Sequence, residues 1–192
     1  MKKINTLIVA LLVAGAAFAQ TTWNLDKVHS KIGFSATHFV VSETEGNFKD
    51  FDVKVTSTSD DFNGAAVEFT AKIASINTEN EKRDGHLKSD DFFNAEKFPE
   101  IKFKGKVEKQ GAKYVLKGDL TIRDVTKAVT FEVTYGGTSY IEAHKVTKAG
   151  FKLKGTVNRF DYNLKWNNKN GADYVVGENV EFTAKVELNK GA

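Results

Sequence analysis

The side chains able to do chemistry are few and scattered. Four histidines, His29, His38, His86 and His144, are the only nitrogen candidates for a metal, and no two lie two or four residues apart. That spacing would set two ligands on one face of a strand or helix, so no metal site is expected. The chain has no cysteine, which removes disulfides, thiolate ligands and thiol nucleophiles. Neither a nucleophile elbow nor a glycine-rich phosphate loop occurs, and no cofactor is expected. The acidic doublets Asp60-Asp61 and Asp90-Asp91 read as turn and helix-end residues, not as an acid–base pair. The arginines are more telling. Only three of the 28 basic residues are arginine, and an aspartate closely follows each: Arg83-Asp84, Arg123-Asp124 and Arg159-Phe160-Asp161. A rigid guanidinium fork suits bidentate bonding that lysine cannot match. These residues either pin loops, or one of them clamps the polar end of a ligand.

The elements that would position such groups show in the apolar spacing. From Trp23 onward apolar residues recur with period two, the pattern of strands with one dry and one wet face. One face collects Ile32, Phe34, Ala36, His38 and Val40; then Phe51, Val53 and Val55; Val67, Phe69, Ala71 and Ile73; and Ile101, Phe103, Gly105 and Val107. The second half continues with Tyr114, Leu116, Gly118, Leu120 and Ile122; Val129, Phe131, Val133 and Tyr135; Phe151, Leu153, Gly155 and Val157; and Val180, Phe182, Ala184, Val186 and Leu188. Lysines, glutamates and threonines fill the opposite faces. Eight runs joined by Gly, Asn, Asp and Ser turns predict an all-β, antiparallel sandwich or barrel. The exception is Asn77 to Phe98, where Glu81 to Ser89 lacks alternation; a short helix with Asn80 as N-cap is expected, then a loop.

Small residues sit at mid-strand on the apolar faces: Ala36, Ala71, Gly105, Gly118, Gly155 and Ala184. A belt of them could leave a tube for a long thin apolar ligand. It could equally be the taper and bending of a filled barrel. The 15 phenylalanines fit either.

The 192 residues, 41% hydrophobic and 28% charged, suit one globular domain. Lys2 and Lys3, the apolar run Leu7 to Phe18 and the small-residue site Ala17-Phe18-Ala19 read as a secretory leader over 1–19, too short for a membrane span. The mature domain would then be 20–192, periplasmic or secreted. Without Lys2 and Lys3 the basic residues nearly balance the 25 acidic ones, and on charge grounds nucleic acid is not expected as a partner.

From Trp23 to Leu188 the motifs resemble the YceI family of lipocalin-like, polyisoprenoid-binding proteins. The resemblance is carried by Trp23-Asn-Leu-Asp26, His29-Ser30, Phe34 to His38 and Gly46-Asn-Phe48. It continues through Arg83-Asp84-Gly85-His86-Leu87, Ser89, Asp91-Phe92-Phe93, Phe98-Pro99 and Phe103, and ends in Gly118-Asp-Leu120-Thr121, Arg123-Asp-Val-Thr126-Lys127 and Arg159-Phe-Asp161. Ala128 and Asn163 depart from the family's usual Pro and Gly. The resemblance implies an eight-stranded antiparallel barrel holding a long isoprenoid, quinone or fatty chain, with a helical segment beside the opening. It also implies export, an occasional homodimer and no established catalysis. It makes Phe34, His38, Phe69, Phe103, Phe131, Phe151 and Phe182, with Gly118 of the small-residue belt, candidate ligand-lining residues; Arg83, Asp84 and His86 become candidates near the head group. Two other classes stay open: an enzyme working on a lipid or quinone in the same cavity, and an outer-membrane barrel, which shares the alternation.

Overall fold

The computed structural model describes residues 20–191; the leader read over 1–19 lies outside them. In chain order the strands are β1 (Thr21–Leu25), β2 (Lys31–His38), β3 (Ser42–Phe48), β4 (Phe51–Ser57), β5 (Ala66–Lys72) and β6 (Ile76–Asn77). After helix α1 (Glu81–Lys88) come β7 (Glu100–Gln110), β8 (Lys113–Ile122), β9 (Val125–Ile141) and β10 (Val146–Asn158). The small pair β11 (Lys169–Asn170) and β12 (Asp173–Tyr174) precedes β13 (Val176–Lys190).

These strands make an eight-staved antiparallel barrel. β1 and β2 share one edge of β13, β4 and β3 pair with them in turn, and β5 and β6 with those. Each of the three couples is therefore one stave with a kink. The remaining staves, β7, β8, β9, β10 and β13, each pair with the next in sequence. Trp23↔Lys190 and Leu25↔Leu188 close the ring, so the barrel has no free edge along that seam.

The alternation decides which side is inside. Ile101 and Leu188 are completely buried, and Ile32, Val53, Val67, Leu116, Leu120, Val133 and Val186 are buried with them. Outward positions pair lysine with glutamate, as in Lys104–Glu68 at 2.9 Å, Lys117–Glu108 at 2.7 Å and Lys154–Glu181 at 2.8 Å. An outer-membrane barrel needs an apolar band on that face, and this barrel carries ion pairs there instead. None of the described helices is long and apolar enough to cross a membrane.

Two details differ from the sequence expectation. Val40 leaves the apolar face and lies in the β2–β3 turn, 62% exposed, because the ladder ends at His38↔Ser42. The β3 segment Ser-Glu-Thr-Glu-Gly-Asn-Phe is a strand although it shows no apolar alternation until Phe48, which is buried.

The Asp26–Ser30 kink is a built hinge. Asp26 accepts from the backbone N–H groups of Val28 and His29 and from the Lys148 ammonium at 2.6 Å, while the Ser30 hydroxyl is bonded to the Glu187 backbone. The Lys148 bond, reinforced by His29, holds the Asp26 carboxyl well below the usual carboxylate range against the opposing effect of burial. A carboxyl whose folded pKa is lowered stabilises the fold above its unfolded pKa, and that stabilisation is lost as pH falls through the folded value. Asp26→Asn is thus expected to lower stability by about 1–2 kcal/mol at pH 7. The difference from the parent should narrow progressively below about pH 4, as urea melts at pH 7 and pH 3 would show.

Candidate functional site

The barrel interior contains an apolar cavity. Its walls are Ile32, Val53, Val55, Phe62, Val67, Phe69, Phe103, Val107, Leu116, Leu120, Phe131, Val133, Phe151, Leu153, Phe182, Thr183, Ala184, Val186 and Leu188, with no polar atom exposed to it. The free cavity measures about 110 Å³, below the roughly 300–1,000 Å³ of small-molecule sites, so a long chain enters only as wall side chains move aside.

One end of the barrel is plugged. In the β4–β5 loop Phe62 adopts φ of +59° and turns its ring inward until it is 1% exposed. It packs against Trp23 at 5.0 Å, Phe151 at 4.9 Å and Tyr135 at 5.5 Å between ring centroids. Sequence parity missed Phe62; its one legible signal is a lone phenylalanine within a Ser, Asp, Asn and Gly turn.

The other end is roofed by two loops. One follows α1 and buries Phe92 and Phe93; the other, 159–175, buries Tyr162 and Leu164. All three arginines hold this roof. Arg83 donates from Nε to the Thr78 hydroxyl at 2.8 Å and from Nη2 to the Thr78 carbonyl at 2.7 Å. Asp84, buried, accepts from the Thr78 amide and hydroxyl at 2.9 and 2.6 Å. Arg123 reaches the carbonyls of Asp90, Phe92 and Asn163, tying the two loops together. Arg159, 3% exposed, donates to the carbonyls of Leu164, Trp166, Val176 and Gly177 and stacks on Phe160 at 4.2 Å. Of the two roles open to the arginines, loop pinning is the one whose bonds are formed.

The candidate residues therefore separate. Phe69, Phe103, Phe131, Phe151 and Phe182 come together as cavity wall. Phe34 does not line it; its ring lies over Gly46 and beside Phe48 at 5.6 Å. His38 stands at the strand end opposite Val176, its ring against Phe39. Arg83 Nε and Nη2 and Asp84 Oδ1 bond Thr78. His86 sits in the roof: Nε2 is 2.8 Å from Asp91, and the ring meets Phe92 and Trp166 edge-on.

The small-residue belt is also different from a simple gap. Gly118 faces Gly105 across the β7–β8 ladder, and a Cβ on Gly118 would fall 2.2 Å from the Lys104 carbonyl oxygen. Glycine is there so that two backbones can approach. At Gly155 a Cβ would meet the Phe131 ring at 2.3 Å, so the space spared by that glycine already holds an aromatic ring. Ala184, by contrast, faces the cavity itself.

The one grouping of possible metal ligands among the described residues is Asp26, His29 and Glu187, whose ligand atoms lie within 4.8 Å of one another. The Lys148 ammonium already bridges the two carboxylates at 2.6 and 2.7 Å, which supplies the cation the cluster needs.

Comparison with known proteins bears on this barrel at three levels. A UPF0312 protein of Staphylococcus epidermidis is 36% identical over 170 residues, covering 88% of this chain and 98% of the relative. The crystal structure of a Campylobacter jejuni YCEI protein superposes with a TM-score of 0.70 at 32% identity, covering 88% of this chain and 97% of that one. A polyisoprenoid binding domain from Saccharophagus degradans, implicated in plant cell wall breakdown, shares the fold with a TM-score of 0.66 at 12% identity, covering 88% and 98%. The YceI-like domain model matches residues 23–188, all but the outermost residues of the barrel, and the chain belongs to the YceI family.

Proposed function

We propose that the protein is an exported, non-enzymatic carrier or store of a long apolar chain, an isoprenoid, isoprenoid quinone or fatty-acid derivative held inside the barrel. The observation that carries this reading is the cavity lining. Its walls are aliphatic and aromatic apart from Thr183, so a bound chain would find dispersion contacts and lose water, at about 0.8 kcal/mol per buried CH2. No acid or base side chain belongs to the lining, which supports binding over acid–base catalysis. The structural neighbour described as a polyisoprenoid binding domain supports the ligand class. Export rests on the leader-like residues 1–19.

The test is native mass spectrometry of protein purified from cells that export it, followed by organic extraction. An isoprenoid, quinone or fatty species in stoichiometric amount is expected. A clean unliganded mass, with no uptake when such chains are offered, would overturn the reading. A second variant sharpens it. Ala184→Phe extends an existing Cβ that faces the cavity; chain affinity should fall by about tenfold or more while the variant keeps the parent's circular dichroism spectrum.

A further inference from the structure

We infer that the β2–β3 turn, Phe39-Val40-Val41, is a membrane-surface probe that dips into the interfacial region of a bilayer where the protein collects or delivers its cargo. The inference rests on the carrier reading for its purpose, and on the turn itself for its evidence.

The turn is strained and its side chains are in the wrong place for a core. Phe39 and Val40 have φ of +50° and +65°, and the Val41 amide donates to the His38 carbonyl at 3.2 Å; within the three-residue connection from His38 to Ser42 this is a turn with two successive left-handed residues, which favours Asn and Gly. A β-branched residue at positive φ is rare, since its Cβ crowds the backbone. Here valine occupies that position and points outward. Phe39, Val40 and Val41 are 42%, 62% and 86% exposed, three consecutive large apolar side chains at a tip where polar residues would relieve the strain and the exposure together.

The occupant follows from size, place and charge. Three side chains cannot supply the roughly 800 Å² that each partner buries in a stable protein interface. A bilayer asks for much less, because a short apolar wedge can enter the headgroup boundary alone. The tip stands at the roofed end of the barrel: Phe39 donates its amide to the Val175 carbonyl at 2.9 Å, and Val175 donates in turn to Asn168 in the 159–175 loop. Exposed Lys165 and Lys169 on that loop are offset by Asp173 and Glu178, so the surroundings suit a zwitterionic surface and not a strongly anionic one. A long apolar chain of the kind proposed as cargo also has its reservoir in a membrane.

Flotation with phosphatidylcholine vesicles is the direct test, using the mature protein and three variants. Phe39→Asn/Val40→Gly installs the residues the turn prefers, and Val41→Ser removes the most exposed side chain. Val28→Ser changes an equally exposed valine, 87%, in the Asp26–Ser30 kink and serves as control. The parent and the control should float; the two tip variants should lose about tenfold or more in vesicle partitioning. The Asn-Gly variant should melt no lower than the parent, which a merely structural role for Phe39 and Val40 would not allow. Transfer of a fluorescent prenyl chain separates this from the carrier reading. Tip variants should load as well as the parent when the chain is delivered from ethanol, yet more slowly from vesicles. A parent that stays off vesicles, or tip variants that float and load from vesicles at parental levels, would overturn the inference. A parent that floats but takes up no chain by either route would overturn the carrier reading and leave the membrane contact standing.

Discussion

Replacing Arg159 with methionine is expected to destabilise the protein by about 3–5 kcal/mol and to lower its melting temperature by roughly 10 °C. Arg159 is almost completely buried and has no carboxylate partner among its hydrogen bonds; every acceptor is a backbone carbonyl, from Leu164, Trp166, Val176 and Gly177. Burial lowers the guanidinium pKa from its ordinary value, but arginine stays protonated throughout the physiological range. Methionine matches the length of the side chain and removes the donors, so carbonyls in the 159–175 loop are left without partners. Arg159→Lys should recover only a fraction, because an ammonium cannot reproduce the planar fork. Thermal unfolding followed by circular dichroism measures both. A methionine variant that melts with the parent would mean that the loop satisfies its own carbonyls and that the arginine is not its clasp.

The second large effect is expected at Gly118. Gly118→Leu should destabilise the barrel by about 3 kcal/mol or more, and the variant should accumulate poorly in folded form. The cause is distance to backbone: the added Cβ falls 2.2 Å from the Lys104 oxygen and 2.4 Å from the Gly105 Cα, neither of which can rotate away. Ala184→Phe is the contrast, since it extends an existing Cβ toward the cavity, whereas at Gly118 the Cβ itself meets the neighbouring strand. Urea melts of the pair check the claim; equal stabilities would show that β7 and β8 separate at small cost.

This contrast marks what was legible in the sequence. Alternation reports direction, so it set Phe69, Phe103, Phe131, Phe151 and Phe182 on apolar faces and marked every major stave, while their candidacy as lining came from the family resemblance. It says nothing of distance to the next strand, and Gly118 was therefore open to being read as spared space. Runs with weak alternation escaped for related reasons. In β3 the inward positions near the roof are Ser42, Thr44 and Gly46, and only Phe48 carries an apolar signal. β1 is cut short by the Asp26 kink, whose purpose shows only once Lys148 and Glu187 are beside it. The roof was the least legible part. Phe92, Phe93, Tyr162 and Leu164 are buried by docking loops whose spacing follows no period, and the acceptors of Arg159 are backbone atoms, which carry no residue signature at all. The motif Arg83-Asp84-Gly85-His86-Leu87 stood out clearly in the sequence, yet its charged pair turns out to grip Thr78.

The order of the staves has a consequence for how the chain comes to be folded. Seven seams join neighbours in sequence and can zip locally, but the eighth joins Trp23 to Lys190. Closing a loop of that length costs entropy that grows only slowly with its span, so the penalty is moderate; the timing is not. No ring exists until the final strand has emerged, and throughout synthesis β1 and β2 wait with one edge unpaired. A nascent chain in that condition stays extendable and threadable to its last few residues, and it becomes a closed vessel in a single late step.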